Sequence, residues 1–319
     1  MSHEFETGFF VKTPAWHELG TVVREAPTTA EAIRLAGLDW DVDEWPVWLR
    51  WTDKGEIPTH KALVRSTDEK VLDVVGADYK PLQNSKAFAF FDPFVASGMC
   101  ELDAAGSLRE GKRIWVLARV KGVEGEVVTG DPVRAYFLLY NGHGGAGVRF
   151  CFTPIRVVCW NTATAAVDQA MARQALIVIR HTKKVEEAVE RVRETVDMAG
   201  QTFNVTLEAY RAMAAQQLGV EGLERYVEDV FAYTAFKDGK PKQTTAPRAK
   251  KSITRLFEGG SGSDIPGVRG TVWAGYNAVT EFLQNHRGRT DATRLDSAWF
   301  ADGRRLRDKA FKEAMALLN

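Results

Sequence analysis

The stretch YFLLYNGHGGAGVRFCFTPIRVVCWNT, residues Tyr136 to Thr162, decides how this chain is read. An apolar run breaks into a glycine cluster around His143, resumes as VRFCF, and then meets Thr153-Pro154, Arg156 and Cys159. A phosphate cradle, a metal site, an activated thiol and a hairpin feeding a helix all compete for it. Gly142, Gly144 and Gly147 spell G-x-G-x-x-G, and Asp168 lies 21 positions further on. A dinucleotide cradle needs its third glycine at the opening of a helix, where free N–H groups meet the pyrophosphate. Here Gly147 leads into an alternating strand pattern, so the context is wrong. No G-x-x-x-x-G-K-[ST] occurs in the chain, which removes a Walker site at motif level.

The other chemistries fare no better. His143, Cys151 and Cys159 are separated by seven intervening residues each, unlike the two-to-four-residue spacing of paired metal ligands. Cys159 sits in the apolar R-V-V-C-W, where a free cysteine reads as a small hydrophobe. None of the six histidines belongs to a recognisable thiol-enzyme motif. No metal and no cofactor are expected. Asn141-Gly142 is a strong two-residue turn signal, so the stretch reads as a hairpin. Pro154 then opens a helix to about Arg173, in the first position where a missing N–H costs nothing.

Working outward, Thr28 or Thr29 starts a short helix that stops at Gly37, after an irregular arm. Strands are predicted near Val47–Thr52, Ala62–Ser66 and Val71–Val75, the last two joined by the turn Thr67–Lys70. A helix over Ser85–Ala96 is capped by Asn84 and closed near Gly98, with Pro93 disturbing it. Ile114–Val120, Val133–Tyr140, Gly147–Phe152 and Ala175–Arg180 read as strands. From Lys183 the period becomes helical, over Val185–Phe203, Leu207–Leu218, Leu223–Phe236, Val272–Asn285 and Asp302–Leu318. The fold class is therefore α+β: a mixed or antiparallel sheet with hairpins and packed helices, then a mainly helical C-terminal region. Residues 1–180 form the first part, with an arm over 1–40 and a β-β-β-α core over about 60–175. Residues 181–319 form the second, carrying a basic mobile loop at 237–263.

Composition sets the outer limits. A chain of 319 residues, 45% hydrophobic and 26% charged, can bury a sizeable core. It has no apolar run of membrane-spanning length, and MSHEFETGFF lacks the pattern of an export signal. Three cysteines suit free thiols in a reducing cytoplasm. The formal net charge is zero, but residues 1–60 carry five Lys/Arg against eleven Asp/Glu, while residues 237–256 carry seven against one. The basic segment suits either phosphate contacts or a solvated loop, with Arg248, Lys250 and Lys251 its candidate contacts.

Several segments together resemble the phage/plasmid-like protein family of unknown function. They are Trp16–Gly20, YKPLQN at Tyr79–Asn84, AAGSLREGKRIWVLARV at Ala104–Val120, TPIRVVCWNT at Thr153–Thr162, GTVWAGYNAVTEFLQNHRG at Gly270–Gly288 and Leu306–Leu318. The resemblance spans essentially the whole chain. It implies a mobile-element protein in the cytoplasm of a bacterial host, without an assigned chemistry. The order of elements over about 60–175 is also similar to the core of single-strand annealing recombination proteins, an analogy of fold and not of motif. That likeness implies single-stranded DNA held in a basic groove without covalent catalysis. It also implies a homo-oligomer, a ring in that family, with a host recombination protein as a further partner.

Particular residues fit such a groove. Arg109, Lys112 and Arg113 lie in and after the turn between Leu108 and Ile114, Arg149 on a strand of the hairpin, and Arg156 and Asn161 in the expected helix. Arginine gives bidentate phosphate contacts, and Trp115, Tyr136 and Trp160 interleave as stacking candidates. Trp115 and Trp160 suit a core better, and Arg156 suits an internal ion pair equally well. Two other functions compete with DNA annealing. A metal-dependent DNA-processing enzyme would draw on Asp73, Asp78, Glu101 and Asp103. A host-interaction protein would use the helical surfaces Val185–Phe203 and Val272–Leu283.

Overall fold

Alternation of apolar side chains builds a sheet with two buried faces. The computed structural model describes residues 5–12, 20–50, 55–144, 147–157, 161–162, 176–182, 187, 199–231, 235–237, 240–242, 246–287 and 302–318. Its principal sheet joins β1 (Phe5–Val11), β2 (Thr21–Val23), β6 (Cys100–Leu108), β7 (Arg113–Glu126), β8 (Pro132–Gly142), β9 (Val148–Arg156), β10 (Asn161–Thr162) and β11 (Leu176–Ile179). The order is β10-β9-β8-β7-β6-β1-β2, and β11 pairs with β9. Only β1 and β2 run parallel in this sheet; the remaining pairs are antiparallel. Ile114, Val116, Phe137 and Leu139 enter the main core, whereas Trp115, Leu117, Tyr136, Leu138 and Tyr140 enter a second cluster on the opposite face. That is the period-two division of a strand pair buried on both sides.

A smaller antiparallel sheet, β3 (Val42–Trp48), β4 (Glu56–Arg65) and β5 (Val71–Gly76), packs Leu63, Leu72 and Val75 inward. Its other surface leaves Trp45 and Val74 exposed, both cross-strand partners of Ala62. Arg65 ties this sheet to β1, donating to Glu6 (2.7 Å) and to Asp68 (2.8 and 2.7 Å). Helix α1 (Thr29–Leu35) begins on a Thr28/Glu31 capping box and ends where Gly37 takes φ +65°. The expected helix over Ser85–Ala96 is two, α2 (Asn84–Ala89) and α3 (Asp92–Ala96), with Pro93 in the first turn of the second. Proline cannot continue a helix but can start one.

The C-terminal region is helical: α4 (Ala199–Ala215), α5 (Val220–Phe231), α6 (Ala246–Gly259), α7 (Val272–Glu281) running into a π-turn (Phe282–His286), and α8 (Asp302–Ala316). The α+β class stands. Three expectations are corrected. The arm contributes β1 and β2 to the sheet. The segment 237–263 holds the end of a short hairpin, β12 (Ala235–Lys237) with β13 (Lys240–Lys242), and the whole of α6, whose Ala249, Ile253, Leu256 and Phe257 are buried. Finally, no helix opens at Pro154. Strand β9 continues through Pro154 to Arg156 and pairs with Ala135 through Val133 on β8. On its other side β9 pairs with β11 up to Cys151 and with β10 from Ile155, so Pro154 falls between the two ladders. A residue without an N–H is tolerated there. Within that expected helix Asn161–Thr162 form strand β10; residues 158–160, with Cys159 and Trp160, and 163–173 lie outside the described residues, as does most of Val185–Phe203.

Candidate nucleic-acid interface

A four-residue loop between Leu108 and Arg113, which pair across β6 and β7, builds the basic end of the sheet. Arg109, Glu110 and Gly111 all take positive φ, at 54°, 58° and 83°. Two non-glycine residues in that region are costly to hold, and contacts around the loop hold them. Glu110 is paired with Lys70 (2.7 Å), and the Lys112 carbonyl accepts from the His143 N–H (2.8 Å). The loop therefore presents the Arg109 and Lys112 side chains from a fixed backbone.

Across the strands, Trp115 pairs with Tyr140, and Tyr140 with Arg149. The guanidinium of Arg149 lies 5.8 Å from the Tyr140 ring centre and that of Arg113 lies 6.0 Å from it. Tyr140 itself is buried. Burial pushes its phenol up to about 12, while Arg113, Arg149 and Arg109 pull the other way. Two expected arginines, Arg113 and Arg149, thus converge on one aromatic ring, and the loop before Arg113 carries Arg109 and the exposed Lys112.

Arg156 belongs to no such surface, and its expected phosphate contact is corrected. It is 1% exposed. Its Nε and Nη2 donate to the two Asp131 oxygens at 2.7 and 2.8 Å, and its Nη1 and Nη2 donate to the carbonyls of Ser261 and Gly262 at 2.8 and 3.2 Å. Asp131 also accepts from the Trp273 indole at 2.8 Å. At about 3.3 Å per strand residue, Arg149 and Arg156 stand ~23 Å apart, so the expected residues divide between two ends of the sheet. Lys250 is held by Glu224 (3.0 Å) and Glu228 (3.2 Å) on α5, and these contacts raise its pKa. Lys251 is exposed on α6. Asn161 lies in β10 and Arg248 in α6.

Two of the four candidate acids, Glu101 and Asp103, are engaged elsewhere. Glu101 pairs with Arg119 and Lys121, and Asp103 accepts from the Tyr136 hydroxyl at 2.9 Å. Burial raises the Asp103 pKa. Among the described residues no three His, Cys, Asp or Glu side chains gather as a metal site. The helical surface Val272–Leu283 is buried throughout α7, because its apolar side chains fill the core. What sequence reasoning missed is Tyr140, the platform of the arginine cluster. Its only signal was a place in the alternation opposite Arg149. No helix among the described residues is long and apolar enough to cross a membrane.

The fold and the basic end define an α+β protein of a family without an assigned chemistry. The chain belongs to the family described as Domain of unknown function (DUF932), which matches residues 71–299. No curated protein and no solved structure matches it.

Proposed function

We propose that this protein binds single-stranded DNA at the end of the principal sheet, with Arg109, Lys112, Arg113 and Arg149 holding successive phosphates. The observation that carries the reading is the convergence of Arg113 and Arg149 on Tyr140. Two guanidiniums over one ring, with Arg109 and Lys112 on the adjoining rigid loop, make a concentrated anion-binding surface. A chain of regularly spaced phosphates fits it better than a single anion. The role is binding and annealing in recombination, without covalent catalysis. It belongs to a phage or plasmid protein in a bacterial cytoplasm, working as a homo-oligomer that closes into a ring and meets a host recombination protein. Lys251 and Arg248 on α6 are secondary contacts, outside the cluster.

Fluorescence anisotropy with a labelled oligonucleotide, single-stranded or duplex, tests this. Single strands should bind regardless of sequence, and affinity should fall steeply between about 50 and 200 mM salt. Equal binding before and after Arg113→Ala/Arg149→Ala would remove the reading.

A further inference from the structure

The glycine-rich segment that fails as a phosphate cradle closes over another set of groups. Asn141 and His143 stand two residues apart at the end of β8, and His181 follows β11 at the same end of the sheet. Asn141, Val148 and Ile179 are successive cross-strand partners, which fixes that neighbourhood. Tyr79 bridges it: its ring stacks on His181 at 4.6 Å, and its hydroxyl donates to the Gly142 carbonyl (3.2 Å) and accepts from the Gly144 N–H (3.1 Å). Asn141, His143 and His181 are 0%, 1% and 7% exposed.

Contacts on the far side of each group decide where the protons sit. Asn84 donates from Nδ2 to the carbonyls of Leu38 (3.1 Å) and Trp40 (3.2 Å), leaving its Oδ1 to accept. His143 Nε2, 3.0 Å from that oxygen, therefore carries the hydrogen, and Nδ1 carries a lone pair. The Lys80 carbonyl can only accept, so His181 Nδ1 (3.1 Å) donates and Nε2 holds the lone pair. Asn141 Nδ2 donates to the Leu82 carbonyl at 2.8 Å, so Oδ1 is a third acceptor. Among the described residues, His143 Nδ1, His181 Nε2 and Asn141 Oδ1 are buried without a hydrogen-bond partner. One water donates two hydrogen bonds and leaves a lone pair unmet, whereas one cation meets all three.

We propose that Asn141, His143 and His181 form a buried site for one divalent transition-metal ion of the Zn²⁺ class, bound by two imidazole nitrogens and one amide oxygen. Each imidazole rests its other N–H on an oxygen, of Asn84 or of Lys80, the second layer of contacts that orients ligating histidines. Burial lowers the pKa of His143 to about 3. It lowers that of His181 to about 4, against the carbonyls of Lys80 and Gly142. Both rings are thus neutral at pH 7, the form that ligates. The site is structural: the ion fastens the end of β8, the glycine loop and the chain after β11 to one another. Having an amide as third donor sets it apart from the usual His, Cys, Asp and Glu clusters.

The test uses the full chain, stripped with EDTA and titrated with Zn²⁺, and with Co²⁺ as a spectroscopic probe. The expected result is one ion per chain, with two imidazoles visible in X-ray absorption at the zinc edge. His143→Ala and His181→Ala should abolish binding, and Asn84→Ala should weaken it about 10- to 100-fold. The absorption measurement needs no variant, so a misfolded mutant does not blunt the test. Folded wild-type protein that takes up no stoichiometric Zn²⁺ at micromolar free metal overturns the proposal and assigns the three acceptors to water. So does bound zinc carrying fewer than two imidazoles.

Discussion

Arg156 and Trp273 meet on a single carboxylate, that of Asp131, and the guanidinium lies 5.7 Å from the indole ring centre. All three side chains are buried. Each member lends its charge or its N–H to the others, so removing one leaves its partners unmet in a region of low dielectric.

Asp131→Ala is expected to cost about 3–5 kcal/mol, since it strands a buried guanidinium. Replacing both members of the ion pair together, Asp131→Leu with Arg156→Met, should cost clearly less than the single change. Urea unfolding midpoints of the two variants decide this, and a double variant as unstable as the single one would contradict it.

Arg113→Ala and Arg149→Ala should each weaken single-stranded DNA binding by about 1 kcal/mol, roughly fivefold. Each should also reduce the slope of log affinity against log salt by about 0.7. Thermal stability should stay within about 0.5 kcal/mol of wild type, because neither guanidinium fills the core. Lys250→Ala, which loses contacts to Glu224 and Glu228 within the helical region, should leave DNA affinity unchanged.

Stability should fall on mild acidification in EDTA. His143 and His181 have folded pKa values of about 3 and about 4, well below the ordinary imidazole value. As pH drops below about 6.5 the unfolded chain takes up protons that the native chain refuses, and stability is lost. The loss continues until pH reaches the folded values. Between pH 7.5 and 5.5 the two rings together should remove about 2–3 kcal/mol. Denaturant midpoints measure it, and His181→Gln should halve the dependence.

Gly144 takes φ +89°, and a Cβ there would overlap the carboxylate of Asp73. Gly144→Ala should therefore cost more than the ~1–2 kcal/mol of a left-handed alanine alone. Adding Asp73→Ala removes the carboxylate but keeps a Cβ 2.4 Å from the new one, so it should recover only part of the steric cost. Equal melting temperatures for Gly144→Ala with and without the second change would refute the contact.

Much of the fold was legible where chemistry is local. Thr28 and Gly37 announced α1 at both ends, and Pro93 marked the break between α2 and α3. The alternation through Tyr136–Phe152 gave the hairpin of β8 and β9. What escaped was set by distant partners. The β6 sequence CELDAAGSL is built of small residues and carries little strand signal, yet neighbours on both sides make it central. Pro154 carried a helix-start signal that sheet pairing overrode. At the candidate site, Arg109, Lys112, Arg113 and Arg149 were expected from their turn and strand positions, and the register sets Arg149 across from Tyr140. Arg156 looks the same in sequence, and only the position of Asp131, 25 residues earlier, separates it from them.

The Asp131 anchorage has a consequence for dissecting the molecule. Arg156 reaches the carbonyls of Ser261 and Gly262, and Asp131 reaches Trp273, so the N-terminal piece and the helices share one polar knot. A chain nicked between them should stay associated until denatured, and separately produced halves should reconstitute instead of behaving as independent modules.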